Sequence, residues 1–305
     1  MRATRVVRSR DLCGCGHAGR VCYGRAGRPT PQCPEEPLSQ TASLTLAANE
    51  PAAIQLRVDR GRIGWWGPLA LTAARTCLLL LVQAALALGF LLHGHPSPWQ
   101  AQAAWWSVYA TLVDIGCLLL LRRLAQREGI RLVDLFGVDR SFLGREVLWG
   151  LAYLLVIFPT AAQGGAMLAS WLVYGTPQPD FARLAPGLLV ARQLPPWAVG
   201  YSLSVFWLVW SPTEEVVYQA YCGARLRALT GRTWMTLALV GFWWALQHSV
   251  LPLVLEWRLS VFRFLQFLPL VLVMQLVYLQ TRRLPRMIVM HWPMDLLAAR
   301  MTLTL

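Results

Sequence analysis

Charge is what this 305-residue sequence has least of. Only 14% of its residues are charged against 56% hydrophobic, where a soluble domain of this size carries about 25% charged residues. A soluble globular protein is therefore not the reading to pursue. Lysine is absent altogether, and all 28 basic residues are arginine. A GC-rich coding bias accounts for that, so the net charge of +13 is not read as a footprint for nucleic acid, and no nucleic-acid partner is expected. No apolar core precedes residue 60, so no secretory signal peptide is expected there. The chain shows no internal repeat and no Gly-x-x-x-Gly face, which disfavours a repeat-built transporter and a simple helix dimer. His-Glu-x-x-His and Gly-x-Ser-x-Gly are missing as well. A metalloprotease built on one helix and a serine nucleophile elbow drop out with them.

What is there, in quantity, is apolar sequence in runs of near-bilayer length, and ~20 apolar residues span a hydrocarbon core as helix. Seven such spans are expected, at 68–92, 103–121, 147–173, 197–221, 233–252, 262–280 and 287–305. The fold class that follows is all-α: a polytopic membrane protein with about seven transmembrane helices and a four-helix catalytic core. Residues 1–60 read as a disordered tail or as a start assigned too far upstream. Four cysteines lie in it, Cys13, Cys15, Cys22 and Cys33, near His17, but their spacing does not suit a zinc knuckle. Residues 61–196 then form N-terminal membrane helices, with a cytoplasmic interfacial loop over 122–146, and 197–305 form the core. With the N-terminus inside, fifteen arginines flank the inner ends, in groups from Arg57 to Arg62, Arg122 to Arg145, Arg225 to Arg232 and Arg282 to Arg286. Five fall outside: Arg183, Arg192, Arg258, Arg263 and Arg300. That asymmetry places the N-terminus in the cytoplasm. Trp65, Trp66, Trp99, Trp105, Trp106, Trp197 and Trp234 gather at span ends, as an interfacial belt does.

An ionisable group in hydrocarbon costs several kcal/mol, so each is a functional candidate. The candidates are Asp114, Glu214, Glu215, His248, His291 and Asp295. Asp114 stands apart from any motif and reads as an interhelical hydrogen bond. Cys77, Cys117 and Cys222 read as small packing residues, and Ser211 beside Pro212 as part of a helix kink rather than a nucleophile. Tyr218 either touches the site or lines its helix. His291 and Asp295 are four residues apart and share a helix face. If Gly231 is the turn of a helical hairpin, Glu214 seventeen residues before it and His248 seventeen after lie at one depth, ~25 Å from the turn. His291 lies six residues past Pro285, which puts a shared site in the cytoplasmic half of the bilayer.

A carboxylate and two imidazoles in a semi-dry cavity can hydrolyse a bond in two ways. They can hold a divalent metal such as zinc, with His248, His291 and Glu214 as ligands, lowering the pKa of bound water to ~7. Or Glu214 alone can act as general base while the histidines stabilise the oxyanion.

Three ordered motifs carry a family resemblance: Glu214-Glu215-Val-Val-Tyr-Gln219, Trp244-Ala-Leu-Gln-His248 and His291-Trp-Pro-Met-Asp295. They resemble the E-E-x-x-x-R, F-x-x-x-H and H-x-x-x-N/D series of the CPBP family of intramembrane proteases, which includes the type II CAAX prenyl endopeptidases and bacterial immunity-protein relatives. The resemblance covers about 197–305. It implies that Glu214 activates water, that His248 and His291 bind metal or the oxyanion, and that Asp295 supports them. Gln219 stands where the family has an arginine to pair with Glu215; it can hydrogen-bond but not neutralise. Trp244 keeps the aromatic wall. Asp295, unlike an asparagine, cannot donate to an oxyanion when ionised, so it is expected to orient His291 or support a metal.

The expected function is an intramembrane endopeptidase that cuts a peptide or protein substrate near the cytoplasmic face, in contact with membrane lipid, and a bacterial plasma membrane is its expected home. Two other readings use the same cavity: a non-catalytic immunity or scaffold protein that binds a partner there, and a proton-coupled carrier.

Overall fold

In hydrocarbon every backbone N–H and C=O must be bonded within its own segment, which makes long apolar runs helical. The structure, a computed structural model, describes residues 48–178 and 194–304, and no strand occurs among them. Among the described residues, three stretches are long and apolar enough to cross a membrane: Trp66–Leu92, Leu132–Tyr174 and Trp257–Thr281. The protein is thus an all-helical membrane protein, and seven crossings remain an expectation from the sequence.

In chain order the helices are α1 (Pro51–Asp59), α2 (Trp66–Leu92), α3 (Pro98–Ala103), α4 (Trp106–Glu128), α5 (Leu143–Ile157) and α6 (Gly164–Tyr174). After them come α7 (Pro196–Tyr201), α8 (Trp207–Glu214), α9 (Ala224–Thr230), α10 (Thr233–Ser249), α11 (Trp257–Thr281) and α12 (Leu284–Thr304). Wider, π-helical turns join several of them without a break. Phe158–Gln163 links α5 to α6, Ser202–Phe206 links α7 to α8, and Glu215–Gly223 links α8 to α9.

Each expected span coincides with helix, but the bounds differ for physical reasons. The second runs on to Glu128 and stops at Gly129, whose φ of 78° supplies the left-handed cap. The expected interfacial loop over 122–146 is therefore helix in its first seven residues. Arginines end an apolar run without ending a helix, because Arg is a good helix former. The rest of that stretch contains the 3₁₀ turns Leu132–Leu135 and Arg140–Phe142. A second correction concerns the tail. Its last part is ordered, since α1 starts on Pro51, a residue suited to a first helical turn, and buries Ile54 with Ile63 against Ala224 of α9. The four tail cysteines, His17, Arg183 and Arg192 lie outside the described residues.

Packing is close where glycine permits it. A Cβ on Gly150 would stand 2.7 Å from Val289 and 2.8 Å from the Arg286 carbonyl oxygen, so α5 and α12 meet at backbone distance. Gly165 does the same for α6 on α11, 2.8 Å from the Gln266 carbonyl oxygen. Membrane helices, which gain little hydrophobic energy from one another, use small residues in this way.

Buried charge also ties elements together. Arg225 of α9 donates through Nε and Nη2 to Glu128 of α4 at 3.1 and 2.7 Å, and through Nη1 to Asn49 at 2.7 Å and the Ala220 carbonyl at 2.9 Å. Arg57 of α1 lies 3.3 Å from the same Glu128. This clamp joins α1, α4 and α9. Arg286 and Glu146, at 2.5 Å, join α12 to α5.

Candidate functional site

The site forms where α8 passes into the π turn Glu215–Gly223. Adjacent residues on an α-helix point ~100° apart, and the wider π turn narrows that angle, so both neighbouring carboxylates can face one partner. They do: Glu215 Oε1 accepts from His291 Nδ1 at 2.9 Å, and Glu214 Oε2 lies 3.7 Å from His291 Nε2. π turns inside α-helices recur at functional positions.

Glu214 is completely buried, so both its oxygens need partners. Trp244 Nε1 of α10 donates to Oε2 at 2.9 Å, and Gln247 Nε2 of the same helix donates to Oε1. The hairpin of α9 and α10, turned at Gly231 with φ 66°, brings these groups and His248 to the carboxylate. His248 Nε2 stands 3.9 Å from Glu214 Oε2, and its ring stacks on Phe267 of α11 at 3.9 Å and 9°. Tyr218 lies flat against Trp244, 5.1 Å between centroids, and donates to Gln247 Oε1 at 2.9 Å. It thus reaches Glu214 through Gln247 rather than directly.

Asp295 sits one turn after His291, with Oδ1 3.5 Å from His291 Nε2. Its Oδ2 accepts from Ser211 Oγ, which also donates to the Trp207 carbonyl at 3.2 Å. Ser211 therefore holds Asp295, a role its place beside Pro212 did not suggest.

Sequence reasoning missed the arginine of this site. Arg75 of α2 is fully buried, with Nη1 3.3 Å from Glu214 Oε1 and Nη2 2.5 Å from Asp114 Oδ1. Its guanidinium lies 3.9 Å above the Trp210 ring. The signal was present, since Arg75 is an ionisable group inside the first apolar run and the cost argument that singled out Asp114 applies equally to it. Asp114 is accordingly the partner of Arg75 across α2 and α4. Gln219 does not take the part of the family's arginine. Neither amide atom has a hydrogen-bond partner among the described residues, and neither has Glu215 Oε2. The positive charge at the glutamate pair comes from another helix and serves Glu214.

The residues brought together are thus Glu214, Glu215, His248, His291 and Asp295, with Arg75 and Asp114 behind them. Their chemistry, one carboxylate facing two imidazoles, is that of a zinc donor set. Their arrangement is not: both Glu214 oxygens are already engaged by Trp244, Gln247 and Arg75, and no three His, Cys, Asp or Glu among the described residues are grouped to hold a metal. The set as it stands does not fit a bound metal. It does fit acid–base work, because one carboxylate oxygen, Glu214 Oε2, stands within 3.9 Å of two imidazole nitrogens.

Fold and site together define a class, that of helical membrane proteins with a carboxylate and imidazole cluster inside the helices. Residues 196–297 match the family model described as type II CAAX prenyl endopeptidase Rce1-like, a protease family, and the matched stretch holds all three motifs. That third of the chain is similar to this family, in line with the resemblance that the motifs carry. Comparison with curated proteins and with solved structures finds no match.

Proposed function

We propose that the chain is an intramembrane endopeptidase in which Glu214 activates a water molecule for attack on a peptide bond near the cytoplasmic face. The observation that carries this reading is that two imidazole Nε2 atoms, of His248 and His291, stand within 3.9 Å of one oxygen, Glu214 Oε2. Separations of 3.7 and 3.9 Å are too long for a direct hydrogen bond and suit a single bridging water. His291 donates Nδ1–H to Glu215, and the water gives a proton to Glu214 Oε2.

The water oxygen bonds to the carbonyl carbon as its proton passes to Glu214. The same proton goes on to the leaving nitrogen as the C–N bond breaks. His248 Nε2–H donates to the carbonyl oxygen as it becomes an oxyanion, and the Phe267 ring keeps the imidazole in place for that work. Glu215 orients His291. Asp295, fixed by Ser211, supports the same ring. Arg75, held by Asp114, positions Glu214 from behind. A divalent metal such as zinc, which donors of these types can hold in principle, does not fit here while Trp244, Gln247 and Arg75 occupy both Glu214 oxygens. No step above is routed through one.

The substrate is a membrane-embedded or membrane-adjacent peptide or protein, with a C-terminal prenylated peptide as the form the family match suggests. The arginine asymmetry supports a cytoplasmic N-terminus, which puts the site in the cytoplasmic half of the bilayer. The test is cleavage by the purified full chain in lipid vesicles, offered a C-terminal farnesylated peptide and the same peptide without the lipid. Products identified by mass should show one new carboxylate and one new amine at a single bond. Both peptides and a panel of membrane peptides emerging uncut would contradict the proposal.

A further inference from the structure

Away from the Glu214 cluster, α1, α9, the start of α10 and the end of α11 enclose a cavity of about 470 Å³. Part of its wall is apolar, from Ile54, Leu276 and Leu279. Two arginines, Arg227 and Arg282, complete it. Arg282 Nε and Nη1 are buried without a hydrogen-bond partner, and neither arginine makes an ion pair among the described residues. Arg282 is half-buried, with its guanidinium 5.9 Å from the Tyr278 ring, and two guanidinium nitrogens shielded from water without an acceptor are costly. Arg282 lies just past the last turn of α11. Burial pushes it below the ordinary arginine value, Tyr278 opposes this, the like charges of Arg227 and Arg225 add to it, and Glu50 is the carboxylate that opposes it. Arg282 also holds a left-handed backbone, φ 55°, the one non-glycine residue among those described to do so.

The missing partner is therefore an anion, and the geometry restricts its kind. Guanidinium forks match phosphate oxygens two at a time, and two of them bordering one cavity suit a group with several acceptor oxygens. The apolar wall suits the glycerol and first methylenes of a phospholipid, whose acyl chains would run along the outside of α11. The arginine asymmetry puts this end at the cytoplasmic surface, where basic pockets between membrane helices take lipid headgroups. We propose that this cavity binds a phosphate-bearing anion through Arg227 and Arg282, delivered as an anionic phospholipid headgroup or as free phosphate. It lies at the turn of the α9–α10 hairpin that carries Glu214 and His248 inward, so its occupant would steady that hairpin.

The full chain in detergent would be titrated with short-chain phosphatidylglycerol, short-chain phosphatidylcholine and inorganic phosphate, with bound molecules counted by native mass spectrometry. One phosphatidylglycerol per chain should be retained, with phosphatidylcholine weaker. Inorganic phosphate displacing the lipid at similar concentration identifies free phosphate as the ligand; failure to displace it identifies the headgroup. Arg227→Gln and Arg282→Gln should each weaken retention about fivefold, the size of one arginine at a charged surface. Arg227→Gln serves alone if the Arg282 variant does not fold, and Arg→Lys at either position should restore part of the affinity. Equal retention of the zwitterionic and anionic lipids, or unchanged phosphatidylglycerol retention in a folded Arg227→Gln variant, would overturn the proposal.

Discussion

In the Arg225 clamp each guanidinium nitrogen has an oxygen partner, on Glu128, Asn49 or the Ala220 carbonyl, at 2.7 to 3.1 Å. In the Glu214 cluster the charged groups around Glu214 itself stand apart, although Arg75 pairs with Asp114 at 2.5 Å and His291 with Glu215 at 2.9 Å. Arg75 is 3.3 Å from Glu214, the imidazoles are 3.7 and 3.9 Å from it, and Asp114 Oδ2 and Glu215 Oε2 have no hydrogen-bond partner among the described residues. Both regions bury charge inside helices, which is expensive in either case. The Arg225 guanidinium has nothing left to offer a substrate, and with Arg57 it serves to join α1, α4 and α9. The Glu214 cluster keeps lone pairs free to accept, which is what hydrolysis needs and what a purely structural network would eliminate.

That contrast can be broken at either end. The largest effect belongs to the clamp: Arg225→Ala leaves the buried Glu128 with Arg57 alone, at 3.3 Å, and should cost about 3–5 kcal/mol of stability, read by thermal unfolding, while cleavage per folded molecule stays the same. In the other region the order reverses. His248→Ala should lower kcat by about 10²–10³-fold, the size of one lost oxyanion donor, with an unfolding midpoint close to that of the parent. A variant that unfolds instead would place His248 with the structural residues. Asp114→Asn keeps the shape and weakens the hold on Arg75. A kcat loss of roughly tenfold, about 1.4 kcal/mol, with KM unchanged would mark Asp114 as positioning the general base, whereas a stability loss alone would make Arg75–Asp114 a second clamp. Smallest of all should be the effect of a chelator. Because both Glu214 oxygens are already engaged, prolonged treatment should change the rate by less than about twofold, and abolished activity restored by zinc would show that the carboxylate exchanges its partners for a metal.

Much of the fold was legible because apolar length and helix are tied together in a membrane: α2, α10, α11 and α12 follow directly from long runs with few charges. What escaped was governed by other signals. The α1 helix is short and only half apolar, so it lacks the length that marks a span, and α4 continues through Arg122, Arg123 and Arg127 because topology reading stops at arginines where helix propensity does not. Within the site, the motif residues could be picked out by their cost in hydrocarbon and by the symmetry of Glu214 and His248 about Gly231. Arg75 escaped because arginines had been treated as markers of the membrane surface. The choice of Trp244 and Gln247 as donors to Glu214, and of Glu215 as partner to His291, depends on the phase of π turns that apolar periodicity does not reveal. The empty hands of Gln219 were likewise invisible, since a glutamine one turn from a glutamate reads as a ready partner until the backbone between them is known.

The central claim is that one buried carboxylate takes the proton of the attacking water, and Glu214→Gln tests it with the least disturbance of shape. In purified protein whose unfolding midpoint matches the parent, the account predicts peptide cleavage reduced by about 10³-fold or more. Cleavage within about tenfold of the parent would contradict it, because an amide at this position can accept hydrogen bonds from Trp244 but cannot take a proton from water.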